Sequence, residues 1–118
     1  MIGSAFQNKG DYINAKKKFK DGLKLDSNNV ALMNNLGLSH KNLLEYDLAE
    51  KIFLKIIDLN NNYVNAYINL GNLKRDLNKF SEAIKLYEEA LLKSKQSPVI
   101  LYSLALAHQG IGNFEKSF

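Results

Sequence analysis

The hydrophobic positions of this chain recur with a step of 34 residues. Leu36-Gly37 and Leu70-Gly71 are separated by that step, which also leads back to Ile2-Gly3 and on to Leu104-Ala105. Three further columns keep the same register: an aromatic column (Tyr12, Tyr46, Phe80, Phe114), an alanine column (Ala15, Ala49, Ala83) and a second aromatic column (Phe19, Phe53, Tyr87). Several independent columns in one register indicate a repeat protein, in which each unit buries a face against its neighbour.

Within each unit, the spacing of apolar residues predicts two α-helices joined by a turn. The unit at residues 30–63 has helical spacing over 30–43 and again over 47–59, with a turn around Leu44-Glu45-Tyr46. The next unit has its turn at Asn78-Lys79. Corresponding turns are predicted in the outer segments, at 9–12 and 110–112. Asparagines and serines at the unit boundaries are expected to cap helices, and Pro98 is expected in a first helical turn.

A 34-residue helix pair with small residues at the Leu-Gly and Ala columns resembles the tetratricopeptide repeat (TPR), and residues 65–72 are close to that family's first helix. The resemblance implies an all-α, right-handed superhelical solenoid of antiparallel helix pairs. We expect a single TPR domain over residues 1–118, with full repeats at 30–63 and 64–97 and partial repeats at 1–29 and 98–118. Because neither end has a polar capping unit, we interpret the chain as a segment of a longer array.

The composition of the chain limits where in the cell the protein is expected and which classes of partner it is expected to bind. Charged residues make up 24% and hydrophobic residues 46%, as in a folded globular chain. The chain has no cysteine, which excludes disulfides and thiolate metal sites. It has no long apolar run and no secretion signal, so we expect a cytoplasmic protein that does not enter a membrane. The net charge of +4 forms no basic stripe, so no nucleic-acid partner is predicted.

The residues that could take part in catalysis or metal binding are explained by their places in the repeat. We therefore predict no catalytic centre, no metal site and no cofactor. His40 and His108 are two repeat lengths apart and share a column expected to be packed inside the fold. The lysines of the segment Lys16-Lys17-Lys18-Phe19-Lys20 are expected to form a solvated helix face. The chain is therefore predicted to be a binding protein rather than an enzyme.

The family resemblance implies that the first helix of each pair lines a concave groove. The predicted peptide-binding residues are Asn35, Leu38, Lys41, Ile68, Asn69, Asn72, Arg75, Tyr102 and Ser103. Asn35, Asn69 and Ser103 form a ladder at the repeat step, similar at its two asparagines to the array of the O-GlcNAc transferases. Amides donate and accept hydrogen bonds, which suits an extended peptide backbone, while Lys41 and Arg75 would favour carboxylates.

The sequence leaves several functional alternatives open. The ladder could instead be solvated surface, since asparagine is abundant throughout the chain. Chaperone-binding members carry a clamp of basic residues and asparagines, but the columns where it needs lysine or arginine hold Asn34, Asn65, Asn69, Val99 and Ser103. Besides a scaffold that binds a protein or an extended peptide, the chain could be the substrate-recruiting arm of a larger transferase. It could also be a homo-oligomer that associates through its uncapped terminal repeats.

Overall fold

The computed structural model describes residues 2–94 and 97–116, with side chains for residues 10–94 and 97–112. The described residues form no strand and fold into six α-helices: α1 (Ile2–Leu25), α2 (Val30–Asn42), α3 (Tyr46–Leu59), α4 (Val64–Asp76), α5 (Phe80–Lys93) and α6 (Pro98–Lys116). This confirms the predicted all-α class.

The chain divides into two compact units, residues 1–61 and 62–118. In the first unit, α2 packs against both α1 and α3. In the second unit, α5 packs against both α4 and α6. The pairs α2–α3 and α4–α5 lie within the repeats predicted at 30–63 and 64–97, and the assignment of repeat boundaries remains a prediction.

Each helix pair has an aromatic ring pressed against a glycine. Phe53 of α3 is fully buried, and a Cβ atom added to Gly37 of α2 would lie 2.6 Å from its Cε1 atom. Tyr87 of α5 is fully buried in the same way, 2.6 Å from where a Cβ on Gly71 would lie. At the glycine column the two helices of a pair therefore pack too closely for a larger side chain.

The turns within the two pairs share a helix C-cap geometry. Leu44 and Asn78 have positive φ angles of 65° and 62°. In the first turn, the Glu45 N–H donates to the His40 carbonyl at 2.8 Å and the Leu44 N–H to the Lys41 carbonyl at 2.9 Å. The second turn repeats this pattern, which is a Schellman motif that satisfies the last carbonyls of a helix. Both predicted turns are thus confirmed.

The predicted helix starts are confirmed in part. Asn29 caps α2, because its Oδ1 atom accepts a hydrogen bond from the Leu32 N–H at 3.0 Å. Tyr63 holds the corresponding position before α4 and makes no side-chain cap bond within the described part of the chain. Helix α6 begins at Pro98, where a missing N–H leaves no hydrogen bond unmade.

The predicted turns at 9–12 and 110–112 are wrong. Helix α1 continues through Gly10, and α6 continues through Gly110 and Gly112. None of the glycines that the structure describes has positive φ. A glycine inside a helix lowers the stability of that helix by only about 1 kcal/mol. A turn at the same place would require the conformational entropy of its residues to be lost without the helical hydrogen bonds.

Candidate functional site

In the first unit, α2 separates a polar face from a buried one. Asn35 is exposed, and Leu38 and Lys41 are half-buried. Met33 and Leu36 are buried. Since each residue advances the helix by about 100°, Asn35 and Leu38 lie on the side of α2 opposite Met33 and Leu36. The predicted groove residues Asn35 and Leu38 thus lie away from this buried face, and their role in binding stays a prediction.

In the second unit, α4 presents Ile68, Asn69 and Arg75 as half-buried side chains. The Asn72 side chain is already used within the unit, because its Oδ1 atom accepts a hydrogen bond from the Tyr87 hydroxyl at 2.5 Å. Asn72 therefore helps to hold α4 against α5, and its amide oxygen is engaged before any ligand arrives.

Tyr87 supplies this hydrogen bond as a neutral phenol. Burial raises the pKa of the Tyr87 hydroxyl, and the nearby Asp76 carboxylate raises it further. The Arg75 guanidinium and a hydrogen bond with Ser103 act in the opposite direction, without reversing the direction of the pKa shift. The hydroxyl consequently stays protonated at neutral pH and can donate to Asn72.

On α6, the two predicted contact residues have different environments. Tyr102 is 67% exposed, whereas Ser103 is 6% exposed. The Ser103 hydroxyl donates to the Val99 carbonyl of its own helix at 2.8 Å. The three ladder positions are thus not equivalent: Asn35 is exposed, Asn69 is half-buried and Ser103 is buried.

The histidine column also differs between helices. His40 is buried, which confirms its predicted place in the packed interior. His108 is exposed, so the prediction for that residue is wrong. The reason is the continuous course of α6: within the described residues no second helix folds back over the face that carries His108.

A network around Glu45 was missed by the sequence analysis. Oxygen Oε1 of Glu45 lies 2.9 Å from His40 Nδ1 and 3.1 Å from Lys16 Nζ. The hydrogen bond with His40 has the largest effect on the pKa of the Glu45 carboxyl and lowers it. The bond with Lys16 lowers it further, against a small opposing effect of desolvation. Lys16 therefore ties α1 to the turn between α2 and α3, while Lys17, Lys18 and Lys20 are exposed as expected.

Lys74 occupies the column of His40 in the second unit and is also buried. Its Nζ atom lies 3.5 Å from Glu82 Oε1. In the same unit, Lys93 Nζ lies 5.2 Å from the centre of the Tyr67 ring, within the range of a cation–π contact. Each of these two cations thus has its partner on the other helix of the pair.

Neither a metal site nor a membrane-spanning helix is found in the described part of the chain. No three His, Asp or Glu side chains there converge in a way that could hold a metal ion. None of the described helices is both long and apolar enough to cross a membrane. What the described side chains offer is a set of amides, cations and apolar groups suited to contacts with another molecule.

Comparisons with known proteins agree with this architecture. A family model described as "Tetratricopeptide repeat" matches residues 28–91, one described as "TPR repeat" matches 71–112, and a further "Tetratricopeptide repeat" model matches 1–29. All three describe repeats, and none describes a catalytic domain. No curated protein matches the chain.

Solved structures of TPR domains superpose on nearly the whole chain. The first TPR domain of human RPAP3 is 26% identical, with a TM-score of 0.84 over 98% of this chain and 91% of that domain. The first TPR of Spaghetti (RPAP3), bound to the HSP90 peptide SRMEEVD, is 25% identical, with a TM-score of 0.80 over 93% of this chain and 87% of that one.

The second TPR domain of human RPAP3, in complex with the HSP70 peptide SGPTIEEVD, is also 25% identical, with a TM-score of 0.75 over 90% of this chain and 88% of that domain. The model matched at residues 28–91 covers more than half of the chain. Together with the 34-residue columns and the glycine–aromatic contacts, these matches show that the chain belongs to the tetratricopeptide repeat family.

Proposed function

We propose that this chain is a peptide-binding interaction scaffold without a catalytic role of its own. The observation that carries the proposal is the likeness to two TPR domains whose structures contain peptides, over 90–93% of this chain at 25% identity. Fold alone does not specify function, so the proposal also depends on the side chains that the first helices present.

The proposed contact face of the first unit comprises Asn35, Leu38 and Lys41 of α2, and that of the second unit comprises Ile68, Asn69 and Arg75 of α4 with Tyr102 of α6. Amide groups at Asn35 and Asn69 can both donate to and accept from a peptide backbone, whatever its side chains. The likeness of these two residues to the asparagine ladder of O-GlcNAc transferases is part of this proposal. Lys41 and Arg75 add cations that favour acidic residues, and Tyr102 adds an exposed aromatic ring.

We further propose that the ligand is an acidic extended segment that needs no free terminal carboxylate. The peptides bound by the two relatives share the acidic ending EEVD. The columns in which chaperone-binding members carry basic clamp residues hold asparagine, valine and serine here. Acidic side chains would therefore be met by Lys41 and Arg75, while nothing basic occupies the clamp columns to hold a terminal carboxylate.

The test measures fluorescence anisotropy of labelled SRMEEVD in two forms, with a free and with an amidated C-terminus. Replacing Asn35→Ala together with Asn69→Ala removes two amides, each contributing about 0.5–1.5 kcal/mol, so affinity should fall roughly 5- to 150-fold. The control Asn14→Ala changes an exposed asparagine on α1 and should have no effect.

Both peptide forms should bind equally, and the melting temperature of the double variant should match that of the parent. A double variant that binds like the parent would exclude the asparagine ladder. A strong preference for the free carboxylate would instead indicate a terminal clamp. If the parent binds neither form at millimolar peptide, the proposed acidic preference is wrong.

Self-association is a second proposal, supported by the exposure of one residue in a column that is otherwise buried. Leu101 of α6 is 50% exposed, whereas Met33 and Tyr67 in the same column are 4% and 7% exposed. We propose that a second copy of the chain covers the side of α6 that carries Leu101, called the apolar face of α6, because burial of a large apolar side chain contributes about 1.5–3 kcal/mol. Molar mass measured by light scattering should rise with protein concentration, and a strictly monomeric mass would exclude the proposal.

A further inference from the structure

A groove in the first unit is formed by α1, α2 and α3 and has a volume of about 340 Å³. Its lining is mainly apolar and includes Leu23 of α1, Met33 and Leu36 of α2, and Ile52 of α3. Three lysines also line it: Lys20 and Lys24 from α1, and Lys55 from α3. All three lysines are exposed, so their ammonium groups can meet a ligand that enters the groove.

This groove is separate from the proposed contact face. Met33 and Leu36, which line it, lie on the side of α2 opposite Asn35 and Leu38, because successive residues advance by about 100° around a helix. One ligand seated in the groove would therefore leave the outward face of α2 accessible. A function assigned to the groove adds a second binding surface to the first unit.

The charge around the groove is predominantly positive. Helix α1 has six lysines and two aspartates, a net charge of +4, which equals the net charge of the whole chain. Acidic residues near the lining in sequence are Asp21, Asp26 and Asp58. The Oδ1 atom of Asp21 lies 3.8 Å from Lys24 Nζ in an exposed pair. Such pairs are weak. No described carboxylate forms an ion pair with Lys20 or Lys55.

The combination of an apolar lining with cations on two helices specifies the chemistry of a ligand. The ligand must bring an apolar group for Leu23, Met33, Leu36 and Ile52 and several carboxylates for the lysines. A single acyl chain has only one carboxylate for the three lysines. An acidic peptide distributes its carboxylates on both sides of an apolar side chain. The volume, near the lower limit of small-ligand pockets, suits one or two side chains.

We propose that this groove binds an acidic segment of a partner protein, with a large apolar side chain inserted between flanking carboxylates. Burial of the apolar group would supply affinity. The lysines would steer the approach of the segment and select its charge. The scaffold would then have two separate contacts with partner proteins, one on each side of α2.

The experiment uses a synthetic peptide with a tryptophan flanked on each side by three glutamates and with both termini blocked. Amide chemical shifts of the ¹⁵N-labelled full chain should change at the groove residues. Lys20→Glu with Lys55→Glu should weaken binding about 10-fold or more. The matched control, Lys51→Glu with Lys85→Glu, makes the same charge change at exposed sites outside the groove and should weaken binding less than about threefold.

The apolar contribution is tested separately. Replacing the peptide tryptophan by glycine should reduce affinity about 10-fold or more, since the apolar lining then has no partner. On the protein, Ile52→Ser should weaken binding, whereas Leu54→Ser, an exposed leucine on the same helix outside the groove, should not. Equal binding of the tryptophan and glycine peptides would mean simple charge attraction and would overturn the proposal.

Three further outcomes would also overturn it: no shifts at the groove residues, equal losses in the lysine variants and their controls, or binding of dodecanoate but not of the peptide. The last outcome would identify the groove as a site for an anionic acyl chain. Failure of the groove proposal is distinguishable from failure of the scaffold proposal, because the shifts are read residue by residue. Asn35→Ala with Asn69→Ala should leave the shifts at the groove residues in place, and Lys20→Glu with Lys55→Glu should leave the shifts that SRMEEVD causes at Asn35 and Asn69 in place.

Discussion

At the scale of single residues, the glycine column shows how a small side chain can determine a helix contact. Gly37 and Gly71 are buried in helix interiors, where alanine would ordinarily be preferred. Each lies against a fully buried aromatic ring, and that ring occupies the space a Cβ atom would need. The cost of a flexible residue in the helix is thus offset by the close packing of Phe53 or Tyr87.

We predict opposite effects for the same substitution at two glycines. Gly37→Ala should destabilise the chain by about 1–2 kcal/mol, because overpacking costs roughly 1–3 kcal/mol and the helix gains up to about 1 kcal/mol. Gly10→Ala should stabilise it by about 0.5–1 kcal/mol, since nothing lies within 4 Å of the added Cβ. Urea unfolding measures both, and a Gly37→Ala variant as stable as the parent would contradict the packing argument.

Leu44 has a backbone conformation that is unusual for a leucine. Its φ angle of 65° is one that glycine or asparagine usually adopts, and Asn78 occupies the corresponding place in the second pair. A leucine there costs roughly 1–2 kcal/mol in backbone strain. The strain is tolerated because the Schellman hydrogen bonds and the packing of α2 against α3 require the chain to reverse at this point.

At the scale of elements, Glu45 joins three helices through one carboxylate. It stands in the turn between α2 and α3, bonds His40 near the end of α2 and forms an ion pair with Lys16 of α1. The side chains of Lys16 and Glu45 are 22% and 36% exposed, so water and salt screen this pair only in part. A charged group at a turn thus contributes to the packing of α1.

This network predicts a pH-dependent part of the stability. The pKa of Glu45 is lower in the folded chain than its ordinary value of 4.5. The folded state therefore favours the ionised carboxylate, and the stabilisation is present above pH 4.5 and lost as the pH falls through the lowered pKa. Glu45→Gln should lower the urea midpoint at neutral pH, and the difference from the parent should shrink in acid.

The control for this prediction is Glu88→Gln, which changes an exposed carboxyl on α5. Its urea midpoint should stay close to that of the parent at both pH values. A Glu45→Gln variant whose deficit is the same at neutral and acidic pH would show that the side chain acts through shape and not through charge.

At the scale of the whole molecule, the helices differ in how completely their apolar positions are covered. Met33 of α2 and Tyr67 of α4 are buried, whereas Leu101 of α6, in the same column, is half exposed. The positive charge is also uneven, since α1 carries a net +4. The described residues therefore include three chemically different groups on the surface: the proposed contact residues, a lysine-lined groove and the half-exposed Leu101 of α6.

The apolar face of α6 gives a prediction for the assembled state. If a second copy covers it, Leu101→Ser should lower the molar mass measured at high concentration toward that of the monomer. Leu92→Ser, which changes an exposed leucine on α5, should leave the mass unchanged. Equal effects of the two variants would mean that general surface hydrophobicity, and not the α6 face, drives association.

The fold could be predicted from sequence to a large extent because its signals are local or periodic. The 34-residue columns located the helix pairs, and the buried positions of Ala49, Phe53, Ala83 and Tyr87 follow from that register.

The candidate site was less predictable from the sequence than the fold. The outward positions of Asn35 and Leu38 follow from helical periodicity, but Asn72, which bonds Tyr87, and Ser103, which bonds its own backbone, have environments that periodicity does not specify.

The sequence by itself determined the family, the helix pairs and the turns at Leu44 and Asn78, because helix periodicity and small-residue spacing are properties of neighbouring positions. Only the tertiary structure decided which groups meet: Lys16 with Glu45, Lys74 with Glu82, and the three helices that enclose the groove. It also decided that α1 and α6 continue through their glycines and that His108 stays exposed. These outcomes depend on whether another helix is present to bury each face, and that cannot be read from the residues of one helix alone.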